Sequence, residues 1–169
     1  MSTNGLIIPG YPTTTAEGIV LVFNGLTLTV ESFGTFPGRY PRVDAQAFGI
    51  EYSYRGNASR EGTLFRPKAL FTFDAKLSLE QQATRARMEA RYFASPATWT
   101  LYDYTQPIAD SGSRTRALAP NSTADTTSGD ALYYAGFNVE PVRAAEVVEQ
   151  NARYDLVSFQ FAETGGTTP

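Results

Sequence analysis

The chain contains no cysteine and no histidine. The first absence excludes disulfides and thiolate metal sites, and it leaves the redox compartment unreadable. The second removes the commonest general base, the usual zinc ligand and the one side chain that switches charge near neutral pH. Catalysis would have to rely on carboxylates, Tyr, Lys or backbone groups. The expectation is therefore a protein that is not an enzyme and holds no metal or cofactor. Lysine is almost missing as well: Lys68 and Lys76 are the only two among 14 basic residues. Arginine suits fork-like pairs at interfaces, although a GC-rich genome produces the same bias. No apolar run approaches the ~20 residues that span a bilayer, so no membrane insertion is expected. Met1-Ser2-Thr3-Asn4-Gly5 lacks the basic and apolar regions of a signal peptide, which points to a protein made in the cytoplasm and not exported by the standard route. A net charge of −3 argues against a protein that coats nucleic acid.

Aromatic residues are abundant, with 11 Phe, 10 Tyr and 1 Trp in 169 residues. They favour half-buried strands and argue against disorder. Residues 19 to 30 read Ile-Val-Leu-Val-Phe-Asn-Gly-Leu-Thr-Leu-Thr-Val, two strand-forming runs joined by Asn24-Gly25. Both turn residues tolerate positive φ, as a type I′ hairpin requires.

Residues 1 to 18 are rich in Gly, Pro and Thr and read as an extended arm, with an apolar patch at Leu6, Ile7 and Ile8. The loop over residues 33 to 41 carries Phe33, Phe36 and Tyr40 among Gly and Pro, a composition shared by contact surfaces and by rings folded under a loop. Strands are expected over residues 48 to 55, 63 to 65 and 69 to 75, with Pro67 interrupting the last two. One helix is expected at about 78–94. Ser78 and Gln81 form a capping box, and Leu79, Ala83, Ala86, Ala90 and Phe93 recur as an apolar stripe that should lie against a sheet or another subunit. Glu80 near its start and Arg85, Arg87 and Arg91 toward its end complement the helix dipole. Whether those arginines face a partner or solvent is open. Residues 99 to 104 form the next strand, followed by a mobile polar loop over 105 to 130 with a short strand at 114 to 118. Residues 131 to 140 form a strand bulged at Gly136, residues 144 to 152 are helical turn or strand, and residues 153 to 163 close the fold. Residues 164–169 are a flexible tail. The expected fold is mainly β: an antiparallel β-sandwich or flattened barrel over 19–163 with one flanking α-helix.

Candidate sites are few. Asp103 with Asp110, and Glu31 with Asp44, are the acid pairs that a His-free hydrolase could use. The segment from Asp125 to Asp130 lacks the alternating acids of a calcium loop. Asn57-Ala58-Ser59 and Asn121-Ser122-Thr123 fit the glycosylation pattern, which means nothing without export. Gly34 and Gly38 do not open a helix after a strand, so no phosphate-cradling loop is read. Trp99 and the strand tyrosines could stack on sugar rings. Cores and subunit interfaces use the same residues.

The order of motifs from Tyr52-Ser53-Tyr54-Arg55-Gly56, through Glu61-Gly62-Thr63-Leu64 and Pro67 to Phe73, the capped helix and Trp99 to Tyr104, to Arg114-Thr115-Arg116-Ala117, resembles tail-tube-like structural proteins of tailed bacteriophages. The resemblance covers roughly residues 48 to 119 and rests on element order. It implies a virion protein of tube, distal tail or baseplate or neck adaptor type, forming a homo-oligomeric ring, commonly a hexamer, with neighbouring tail proteins as partners. Arms and long loops (residues 1 to 18, the loop near Phe36, and 105 to 130) would join rings. The other readings are a carbohydrate-binding β-sandwich, for receptor binding or capsid decoration, and a carboxylate hydrolase centred on Asp103.

Overall fold

Asn24 and Gly25 adopt φ values of 45° and 75°, and the turn they make joins β1 (Ile19–Phe23) to β2 (Leu26–Val30) in antiparallel register. This is the hairpin expected from the Asn-Gly pair, whose turn twist matches that of the strands. The computed structural model describes residues 10–34, 42–45, 49–52, 58–61 and 68–164. The apolar patch at Leu6 to Ile8, the aromatics Phe36 and Tyr40, the strand expected at 63 to 65, Asn57 and the tail from 165 lie outside them.

The remaining elements are β3 (Arg42–Ala45), β4 (Gly49–Tyr52), β5 (Ala58–Glu61), β6 (Lys68–Leu77), α1 (Leu79–Ala94), β7 (Trp99–Ser111), β8 (Ala117–Leu118), β9 (Ala124–Asp125), β10 (Asp130–Pro141), β11 (Glu146–Gln150) and β12 (Asp155–Glu163). The fold is mainly β with one helix, and among the described residues every strand pairing is antiparallel. The main sheet runs β2-β1-β7-β10-β12-β6-β3, while β4 and β5 pair with each other. Its two ends approach one another. Directly after β2, Lys76 N donates to Ser32 O and Gly34 N to Asp74 O, and Phe33 bridges to Ala75. A sheet curled in this way has one inner face, and period-two alternation fills it: Ile19, Leu21 and Phe23 from β1, Phe71 and Phe73 from β6, Trp99 and Leu101 from β7, and Val157, Phe159 and Phe161 from β12.

Several boundaries differ from expectation. The polar run after Tyr104 is not all loop, because β7 continues through it to Ser111 against β10. The irregularity in β10 falls at Tyr134 and not at Gly136. Between Tyr133↔Ile108 and Ala135↔Asp103, two steps along β10 match five along β7. Gly136 instead makes room for a neighbouring ring, since a Cβ there would stand 2.8 Å from Tyr102. The ambiguous stretch before residue 153 contains strand β11, exposed at all five positions and bulged between Val147 and Glu149. The described part of the N-terminal arm is tied down on its own chain. Thr15 N donates to Asn121 O, Thr123 N to Thr13 O, and Ala16 packs on the cluster of Tyr104, Ala119 and Tyr134.

Candidate functional site

Helix α1 starts as the sequence predicts. Gln81 N donates to Ser78 Oγ and Ser78 N donates back to Gln81 Oε1. Its orientation is the reverse of the one expected. The stripe of Leu79, Ala83, Ala86, Ala90 and Phe93 is exposed at every position, whereas Met88 is fully buried and Gln81, Arg85 and Tyr92 are half-buried. The reason is polar. Toward the β1–β2 hairpin, Gln81 Nε2 donates to Thr29 O (2.9 Å) and Arg91 Nη1 donates to Asn24 O (2.6 Å). Toward β12 and the turn before β11, Gln82 Nε2 donates to Asp155 Oδ2 (2.9 Å) and Glu89 Oε1 accepts from Ala145 N (2.9 Å). Arg85 bonds Gln82 and Glu89 and holds both in place. These contacts satisfy strand and turn groups that the helix would otherwise cover without partners. Tyr92 packs edge-on against Phe23 and Trp99 beneath.

What α1 turns to solvent therefore includes its whole apolar stripe: Leu79 is 73% exposed and Phe93 65%. Beside Phe93 lies a cleft of about 150 Å³, lined by Tyr92, Trp99, Phe159, Phe161 and the turn from Pro141 to Ala145, with Val142 exposed at its rim. Trp99 lines this cleft from within the core. It is only 2% exposed, Phe23 stacks on it at 4.9 Å, and its indole N–H has no hydrogen-bond partner among the described residues. Trp99 therefore offers no open face to a sugar ring. Arg85, Arg87 and Arg91 differ in setting: Arg85 is half-buried and Arg91 holds the hairpin turn, while Arg87 is exposed.

The acid pairs have structural partners. Asp103 and Asp110 both face the interior, yet neither lines the cleft. Asp103 Oδ2 accepts from Arg42 Nη1 (3.0 Å), and Asp103 Oδ1 accepts from Thr105 N (2.9 Å) and its hydroxyl. Arg42 also donates to the carbonyls of Gln106 and Pro107. This ion pair thus pins the irregular segment of β7. Asp110 Oδ2 accepts from Tyr133 Oη (2.5 Å) and from Thr115 N and Oγ1. Glu31 is exposed, and the Asp44 side chain lies outside the described residues. Burial is the largest influence on Asp103 and pushes its carboxyl above the usual range, against the opposing pull of Thr105 and Arg42. The folded chain then holds this proton more tightly than the unfolded chain. The stability contributed by Asp103 is greatest below the ordinary value of about 3.9 and declines as pH rises through the raised value. A carbon NMR titration of the Asp103 carboxyl should show its midpoint above about 3.9. The stability of the wild type relative to Asp103→Asn should grow as pH falls through that interval. A lower midpoint would mean that Thr105 and Arg42 together outweigh burial.

Among the described residues, no group of His, Cys, Asp or Glu could hold a metal ion, and no helix is long and apolar enough to cross a membrane. Compared with known protein families, with characterised proteins and with solved structures, the chain matches none.

Proposed function

We propose that this chain is a structural subunit that acts by assembling with copies of itself and with neighbouring proteins, not by catalysis. Following the resemblance of residues 48 to 119, we place it in the tail of a tailed bacteriophage, as a tube, distal tail or baseplate or neck adaptor protein in a hexameric ring. The observation that carries the assembly reading is the outward apolar stripe of α1. A surface helix normally keeps its polar residues in water and its apolar ones on the body. Here Gln81, Gln82, Arg85 and Glu89 face the body, and the apolar stripe is left out. Each exposed apolar Å² forfeits roughly 25 cal/mol that a covering partner would recover. The net charge of −3 also suits a lumen through which DNA passes without adhering. The carbohydrate-binding alternative loses its best platform with Trp99 in the core.

Sedimentation velocity and light scattering should find a discrete oligomer, with rings in negative stain. Phe93→Glu should lower the oligomer mass while destabilising the monomer by no more than about 1 kcal/mol, because the site is exposed but the new carboxylate falls in the last turn of α1, four residues after Glu89. A wild-type chain that remains monomeric across the accessible concentration range, with no partner driving assembly, would count against the reading.

A further inference from the structure

The stripe on α1 is nearly palindromic. Leu79 lies seven residues before Ala86 and Phe93 lies seven after it, while Ala83 and Ala90 stand three before and four after. Two copies packed antiparallel through Ala86 would set Leu79 of each against Phe93 of the other, with alanines along the whole centre. Small side chains allow helix axes to approach to about 8 Å. Charge follows the same symmetry. Glu80 is six residues before the centre and Arg91 five after it, and both are exposed on one flank of the stripe. An antiparallel pair therefore brings Glu80 of one copy alongside Arg91 of the other, twice, while Arg91 Nη1 keeps its bond to Asn24 O of its own chain. Arg87, next to the centre, is exposed and long enough to keep its guanidinium in water. At each end the incoming Leu79 meets the cleft beside Phe93 and Val142. Its volume is about 150 Å³, and a cavity of that size accepts a benzene-sized group.

We infer that α1 is a two-fold contact between copies of this chain, in which Leu79 of each copy covers Phe93 and enters the adjoining cleft of the other. The inference rests on the assembly reading and specifies the partner of its surface. Such a contact is isologous and closes on itself as a pair. It therefore joins two rings, or two lone subunits, and does not link neighbours around one ring.

The absence of cysteine makes the test clean, because every introduced thiol is unique. Under mild oxidation of the 169-residue chain, Ala86→Cys should form a disulfide-linked dimer. A mixture of Leu79→Cys and Phe93→Cys chains should cross-link to each other. Leu79→Cys alone should not, since its two thiols would stand about 21 Å apart along the helix pair, beyond disulfide reach. Phe93→Glu should halve the mass of the assembly. Circular dichroism on each variant verifies that it is folded. Self-cross-linking of Leu79→Cys would overturn the antiparallel arrangement. So would a fall of Phe93→Glu from a larger ring straight to monomer, although the assembly reading would survive both. An oligomer in which no pair cross-links would overturn the α1 contact and leave assembly through another surface. A chain that stays monomeric and instead binds phosphatidylcholine vesicles through α1 would sink both.

Discussion

Trp99→Ala is expected to destabilise the folded chain by about 3–5 kcal/mol, the range for removing a large aromatic from a packed core. Trp99 joins the aromatic packing of three elements: Phe23 stacks on it at 4.9 Å, Phe161 lies at 5.6 Å, and Tyr92 of α1 meets it edge-on at 6.1 Å. Alanine would open a void continuous with the cleft beside Phe93, where α1 is anchored. Domains hold only about 5–15 kcal/mol in reserve, so this single change takes a large share. Trp99→Phe should cost far less. It keeps most of the ring, and it removes an indole N–H that is buried without an acceptor among the described residues, a liability of about 1–3 kcal/mol. Urea denaturation followed by far-ultraviolet circular dichroism measures both. If the two variants prove equally unstable, the buried N–H carries no penalty.

Glu163→Ala should cost a similar amount, about 3–5 kcal/mol, because it breaks a buried ion pair from one side. Glu163 accepts from Arg116 Nε at 2.7 Å and Nη2 at 2.8 Å, and also takes Ala69 N at 2.8 Å. The carboxylate thus clasps β12, β6 and the segment entering β8, while the Arg116 guanidinium lies 4.9 Å from the Phe137 ring centre. With alanine, the Arg116 guanidinium loses its bidentate bonds to Glu163, and the Ala69 amide loses its acceptor. Glu163→Gln should fall between wild type and Glu163→Ala, since it preserves shape and one acceptor. A loss under about 1 kcal/mol for the alanine variant would place this pair with ordinary surface bridges.

Local signals were legible in the sequence wherever the chemistry acts over a few residues. Asn24-Gly25 dictates its turn, Ser78 and Gln81 cap their helix, and alternation in β6 and β12 assigns Phe71, Phe73, Val157, Phe159 and Phe161 to one face. The polar course of β7 beyond Tyr104 was not legible. Its strand geometry there is held by β10 and by Arg42, 61 residues away in the chain. Nor was the docking of Thr13 to Ala16, which depends on backbone bonds to a segment more than 100 residues on.

Helix α1 separates the two kinds of information. Its existence, its start and its stripe follow from residues 78 to 94 alone, because capping and 3.6-residue periodicity are local properties. Which side turns inward was decided by tertiary structure. The carbonyls of Thr29 and Asn24 on the hairpin and the amide of Ala145 take polar partners from the helix, so Gln81, Arg91 and Glu89 bind the body and Leu79 and Phe93 are left in water. Hydrophobicity by itself would choose the opposite face. Hydrogen bonding to distant backbone overrode it, since Thr29 O and Ala145 N, partly covered by the helix, would lose water without gaining a partner.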